Sequence, residues 1–326
     1  MKKPEKYLFP LLCLVMIAGH LTGCGESTPV QAGEKKLSIV TTIFPEYDWV
    51  RQVLGDRAGS VELTLLLCSG VDLHSYQPTA DDMIKISTCD LFIHVGGESD
   101  DWVDDALAGA VNKDMVVIDL LHILDDSVKQ EELVEGMQAE DGENETGLDE
   151  HVWLSLRSAA AVCSSIAGQL GVLDPANKDA YETNATAYIE KLNALDVRYA
   201  SAVSEAQADT LLFGDRFPFR YLTDDYGLRY YAAFAGCSAE TEASFETIVF
   251  LAGKMEELGL STVLTLEGSD GKLAQTIVDN TTSKNARILQ LDSLQSTTLQ
   301  DIAGGKTYLG TMEQNLEVLR QALQGE

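Results

Sequence analysis

The sequence predicts an α/β protein of two lobes, each a parallel sheet flanked by helices, joined by one long rigid helix. Three observations carry that expectation. Short β-rich runs alternate with helix-like stretches along the chain, several runs are continuous in Val, Ile, Leu and Phe, and one helical stripe fills residues 175–206 between the two series. Continuous apolar strands belong to parallel sheets covered on both faces. Repeated strand–helix order gives open, Rossmann-like lobes.

The chain opens with Lys2, Lys3 and Lys6, followed by an apolar stretch of 13 residues from Tyr7 to Gly19. A bilayer core of about 30 Å needs about 20 apolar residues, so this run suits a signal peptide rather than a span. It ends in Leu21-Thr22-Gly23-Cys24, which resembles the bacterial lipobox. That resemblance implies a signal peptide over residues 1–23, lipid on Cys24, and a flexible tether over residues 24–36. No later segment is expected to cross a membrane.

The first lobe, residues 37–174, is expected to place strands at 37–42, 61–67, 90–95 and 115–119, with helices at 44–54 and 79–87. The linking helix, within residues 175–207, has Asp174 as its expected cap and Pro175 at its first position. Tyr181, Ala185, Tyr188, Leu192, Leu195 and Tyr199 recur at steps of four and three, which makes one apolar stripe. A rod of that length permits little hinge bending. The second lobe, residues 208–326, is expected to place strands at 210–213, 229–234, 261–267 and 286–291, with helices at 244–258 and 272–280.

The 23 basic and 52 acidic residues give a net charge of −29, which repels nucleic acid and anionic headgroups and attracts cations. Residues 125–150 hold 11 of those carboxylates against one lysine and have too few apolar residues to fold alone, so a mobile loop is expected there. Cys68, Cys89, Cys163 and Cys237 lack the close pairing of structural zinc sites and sit among apolar or small neighbours. They read as buried free thiols, with a disulfide as the alternative.

Ligands of open parallel sheets bind beyond the carboxyl ends of the strands. After the second strand comes Gly70-Val71-Asp72-Leu73-His74-Ser75-Tyr76, and after the fourth strand and its acidic loop comes Asp149-Glu150-His151-Val152-Trp153-Leu154. After the fifth comes Gly214-Asp215-Arg216-Phe217, and after the seventh Glu267-Gly268-Ser269-Asp270-Gly271. Imidazole with carboxylate is a ligand set for zinc, and also for manganese or iron. A lone loop histidine also serves as a hydrogen-bonding surface residue, and either aspartate also caps the helix that follows it.

Thr41-Thr42-Ile43-Phe44-Pro45 and the two histidine blocks resemble the hallmark blocks of one family, the zinc- and manganese-binding lipoproteins of bacterial ABC transporters. These are solute-binding components with a long backbone helix. The similarity runs through Tyr226-Gly227-Leu228 to Met312-Glu313-Gln314-Asn315-Leu316. It implies that His74 and His151 bind the metal. The family's third ligand, a His or Glu, falls at Arg216, which cannot ligate a cation, so Asp215 beside it, or else water, is expected in that role. Glu267 matches the family's strand-ending Glu, and Asp270 is the nearest acid after it. The expected set is therefore His74, His151, Asp215 and Asp270. Glu267 is expected as a substitute ligand, or as the partner of Arg216 that orients the site. Where zinc-type members carry a histidine-rich loop, this chain carries the acidic one, with only His122 at its edge.

The resulting expectation is a monomeric, lipid-anchored binding protein on the extracytoplasmic face of the cell membrane, without catalysis. It captures Zn2+ between two lobes and delivers it to a membrane permease. The alternatives are a manganese or iron member of the family, a zinc-dependent surface hydrolase, which has no H-E-x-x-H motif here to support it, and an adhesin with a structural metal.

Overall fold

Two four-stranded parallel sheets form the frame in a computed structural model that describes residues 36–138, 147–238 and 242–324. Cys24 and the lipobox lie outside the described residues. In the first lobe β1 (Ser38–Thr41), β2 (Glu62–Leu65), β3 (Leu91–His94) and β4 (Val116–Asp119) lie in the order β2-β1-β3-β4. All three pairings are parallel, with Ile39 opposite both Leu63 and Leu91 and His94 opposite Asp119.

The helices α1 (Phe44–Leu54), α2 (Ala80–Thr88), α3 (Trp102–Ala108) and α4 (Leu120–Leu124) belong to this lobe. At the start of α1 the Glu46 carboxylate turns back to accept the N–H groups of Thr42 and Ile43 at 2.9 and 3.3 Å. At the start of α2 the Thr79 hydroxyl and the Asp82 carboxylate exchange bonds with each other's N–H, a reciprocal capping box.

Two helices then run along each other: α5 (Leu156–Leu173) and α6 (Lys178–Ser204). The stripe expected on α6 is buried throughout, from Tyr181 to Tyr199. Its 27 residues span about 40 Å at the helical rise. Asp174 does not cap α6; Pro175–Asn177 forms a 3-10 turn first, and the carboxylate accepts from Asn177 Nδ2 and Tyr181 Oη instead. The expectation that no segment after the signal could span a membrane needs correcting. The 18 residues of α5 are long and apolar enough by that test, yet Val162, Cys163, Ile166 and Leu170 are buried, as in a core helix.

In the second lobe β5 (Thr210–Phe217), β6 (Arg229–Ala235), β7 (Thr262–Leu266) and β8 (Arg287–Leu291) lie in the order β6-β5-β7-β8, again parallel. Here α7 (Arg220–Tyr226), α8 (Phe245–Leu258), α9 (Lys272–Asp279), α10 (Leu299–Ala303) and α11 (Tyr308–Gln324) complete the chain. Strand β5 is longer than expected, with a register shift between Phe213 and Arg216. At that irregularity a Cβ on Gly214 would lie 2.7 Å from the Ala274 Cα, so the glycine lets α9 approach.

One large apolar cluster spans both lobes, joining Ile39 and Phe92 of the first to Phe213 and Leu316 of the second, while a smaller one around Leu212, Phe234, Val263 and Ile277 belongs to the second lobe alone. Helix α11 helps to close it. The Tyr308 N–H donates to Asp48 Oδ2 at 2.9 Å, its hydroxyl donates to the Trp153 carbonyl at 2.7 Å, and its ring meets Trp49 edge-on at 5.1 Å. Tyr199 of α6 donates its hydroxyl to the Met312 carbonyl at 2.6 Å.

The acidic segment is not the free loop expected from its composition, at least over residues 125–138 and 147–150; residues 139–146 lie outside the described ones. Its two limbs pair with each other through Glu131 N–H to Gly147 O and Asp149 N–H to Lys129 O, both 2.9 Å. It then reaches the second lobe, where Gln138 N–H donates to Ala233 O at 2.9 Å and Lys129 N–H donates to Tyr221 Oη at 3.0 Å. A segment without a core of its own is held by the outer strand β6, whose edge supplies backbone partners.

Asp48→Ala would leave the buried N–H of Tyr308 without its acceptor. We expect a loss of about 1–3 kcal/mol in chemical denaturation, with Asp48→Asn, which keeps an acceptor oxygen, losing less.

Candidate metal centre

The first histidine enters from the loop after β2. Asp72 accepts the backbone N–H of His74 at 3.0 Å and so fixes the 3-10 turn Leu73–Ser75 that presents the ring. On the imidazole, Nδ1 lies 2.7 Å from Ser99 Oγ and 3.5 Å from Glu150 Oε2. Glu150 is itself placed by the Ser99 N–H, which donates to Oε1 at 2.8 Å.

The second histidine, His151, is fully buried. One oxygen of Asp149 accepts both its backbone N–H at 2.9 Å and its ring Nδ1 at 3.0 Å. That bond assigns the proton to Nδ1 and leaves the Nε2 lone pair for a ligand. The Trp153 ring flanks it, with centroids 5.2 Å apart.

The two Nε2 atoms face each other at 3.2 Å. Two lone pairs at that distance repel unless a proton or a cation lies between them. A tetrahedral zinc ion with bonds of about 2.0–2.1 Å separates two ligand nitrogens by about 3.3 Å. The spacing thus fits two corners of such a site. Burial first, and then the facing His151, push His74 down to about 3. Burial alone would lower His151 too, but the bonded Asp149 carboxylate, with Glu150, raises it overall. Burial also raises Glu150, against the two bonds from Ser99.

From the second lobe comes Cys237, two residues beyond β6. Its sulfur and one ligand nitrogen of each histidine all lie within 4.8 Å of one another. The Cys237 N–H donates to Glu131 Oε1 at 2.9 Å, so the acidic segment helps to hold it. Burial, reinforced by Glu131 and Asp149, keeps the thiol well above its usual range. Gly236 packs on the other histidine: a Cβ there would lie 3.0 Å from His151 Cε1, 2.8 Å from the Phe217 carbonyl oxygen and 3.1 Å from Pro218 Cα.

The remaining expected ligands stand elsewhere. Asp215 lies inside β5, where Oδ1 accepts the Arg216 N–H at 2.9 Å and Oδ2 accepts the Leu266 N–H of β7 at 3.2 Å. Asp270 is exposed, accepts the Lys272 N–H at 3.0 Å and pairs with the Lys272 ammonium. Glu267 is saturated by the Ser293 N–H at 2.6 Å, the Ser293 hydroxyl at 2.7 Å and the Gln295 N–H at 3.1 Å. Among the described residues, none of these three belongs to the group of ligand atoms that comes together. Arg216 finds its counter-charge in Asp72 at 2.8 Å rather than in Glu267. Burial raises Asp72, but Arg216 and His74 outweigh it and hold the carboxyl below its usual range. His94 sits apart, its Nδ1 3.3 Å from Asp100 and its ring stacked on Phe92. The rule that found the histidines, reading past each strand end, also finds Cys237 when applied to β6.

Residues 39–322 match the family model ZnuA, described as zinc-uptake complex component A, periplasmic. Zinc-binding lipoprotein AdcA of Streptococcus pneumoniae serotype 4 is 31% identical across 100% of this chain, which spans 62% of that protein's length. High-affinity zinc uptake system protein ZnuA of Bacillus subtilis strain 168 is 28% identical over 95% of each chain. The crystal structure of the Zn(II)-bound ZnuA-like domain of S. pneumoniae AdcA aligns with a TM-score of 0.70 at 30% identity, covering 89% of this chain and 99% of that one.

Gly236→Ala tests the packing around His151. Two of the three close neighbours are backbone, so the ring must give way. We expect a destabilisation of about 1–3 kcal/mol and displaced His151 imidazole resonances in the NMR spectrum.

Proposed function

The chain belongs to the ZnuA family of zinc-uptake components, and from that premise we propose that it captures Zn2+ at the His74–His151 pair and delivers it to a membrane permease. The 3.2 Å approach of two buried Nε2 atoms supports this most directly. Each ring is braced on its far nitrogen, by Ser99 and by Asp149, so the free lone pairs converge without reorganisation. The relatives' names point to the same cargo; manganese or iron is the alternative.

Capture rather than catalysis follows from the arrangement of acids. A zinc hydrolase needs an open coordination position with a general base beside it. Asp149 and Glu150 contact the Nδ1 sides of His151 and His74, away from the facing Nε2 atoms, where they orient the rings. The shared core and the long α6 confine capture to small movements of loops at the cleft. The surface anchor is Cys24, which places a monomeric chain at the extracytoplasmic face of the membrane. The acidic segment raises the local concentration of cations around the cleft.

His74→Ala and His151→Ala should each weaken zinc binding by orders of magnitude while the circular dichroism stays native. Calorimetric titration measures this, and near-native affinity in either variant rejects the site. Separately, Cys24→Ser should move the expressed protein from the detergent-rich to the aqueous phase on detergent partitioning; equal partitioning removes the lipid anchor.

A further inference from the structure

We propose that the Cys237 thiolate is the second lobe's ligand to the captured metal, in place of the carboxylates expected from the sequence. The inference rests on the proposed capture by His74 and His151. Three independent features converge on it.

The first is proximity. The Cys237 sulfur and the two histidine nitrogens form a group within 4.8 Å, and a tetrahedral zinc site puts sulfur and nitrogen about 3.6 Å apart. Closing from the upper limit asks the side chain to move by about 1 Å, within the reach of a small loop adjustment.

The second is that its competitors are occupied. Both Asp215 oxygens stitch β5 to its own backbone and to β7, Glu267 is consumed by the Ser293–Gln295 turn, and Asp270 is out in solvent beside Lys272. Arg216 is turned onto Asp72 and the Ser238 carbonyl, so its charge is neutralised in place.

The third is the local build. Gly236 lets the chain pass against the His151 ring, and Glu131 grips the Cys237 N–H, so the residue is delivered to the imidazoles by its backbone. Binding replaces the Cys237 S–H bond by a metal–sulfur bond and releases the proton to solvent, and two imidazoles and a thiolate then leave one net positive charge on a divalent ion. Asp149, hydrogen-bonded behind the His151 ring, offsets it.

A soft thiolate favours zinc over manganese, which prefers oxygen ligands. The donor set would thus select zinc although the family's third-ligand position holds an arginine.

The test uses the full chain in detergent micelles, loaded with Co2+ as the spectroscopic probe. Thiolate ligation gives an intense near-ultraviolet charge-transfer band that nitrogen and oxygen ligands do not give. We expect that band in the native chain and in Cys68→Ser, and its loss in Cys237→Ser with zinc affinity down about a hundredfold. Cys237→His should bind zinc and lack the band, which separates a lost ligand from a lost fold. Tetrahedral Co2+ bound without the band in the native chain overturns the thiolate assignment and leaves the histidine pair standing. No uptake of Co2+ or Zn2+ by the native chain, or unchanged binding by His74→Ala, overturns the capture reading itself.

Discussion

Two imidazole nitrogens 3.2 Å apart repel each other unless a proton or a cation lies between them, and Asp149, Ser99, Glu150 and Asp72 hold the two residues there. Asp149 grips His151 twice, by ring and by backbone. Ser99 and Glu150, bonded to each other across 51 residues of sequence, brace the His74 ring, and Asp72 holds its backbone. Gly97 makes room for that brace: its φ is +84°, and a side chain there would collide with the Glu150 carboxylate. An arrangement unfavourable without a cation becomes favourable with one, because the geometry has been set before the ligand arrives.

Asp72 extends the same logic across the cleft. One oxygen fixes the turn that carries His74, and the other pairs with Arg216 from the opposite lobe. An arginine at the place where relatives of the chain are expected to carry a ligand thus becomes a clasp between the lobes. Its cation is matched locally, as a partly buried charge requires.

The fold was largely legible because continuous apolar strands and the periodic stripe of α6 are strong local signals. Helix α5 was not, since its many Ala and Ser residues weaken the apolar pattern before Cys163 and Ile166 declare it. Strand β5 was cut short at Phe213, because Gly214-Asp215-Arg216 reads as a loop although it forms an irregularity within the strand. Asp215 therefore lies within the strand rather than beyond its end. The histidines were legible from their sequence blocks, whereas a sulfur among small and apolar neighbours looks like any buried thiol. What places Cys237 beside them is tertiary: the acidic segment binding its N–H from more than 100 residues away. Composition likewise cannot show that an acid-rich segment leans on another lobe's edge strand.

The common core of the two lobes constrains the hand-over of metal that we propose. A protein that changes outline little on loading offers a receptor almost the same surface whether full or empty. Any preference for the loaded form must then arise at the mouth of the cleft, from contacts such as Asp72 with Arg216 or from the segment around Glu131. Linkage makes that preference reciprocal: a receptor that binds the loaded form more tightly also tightens metal binding by the same factor, and one that strips the metal must prefer the empty form. Under the proposed function, release at the membrane would require docking to favour the empty cleft, by prising the clasp rather than by bending the rod.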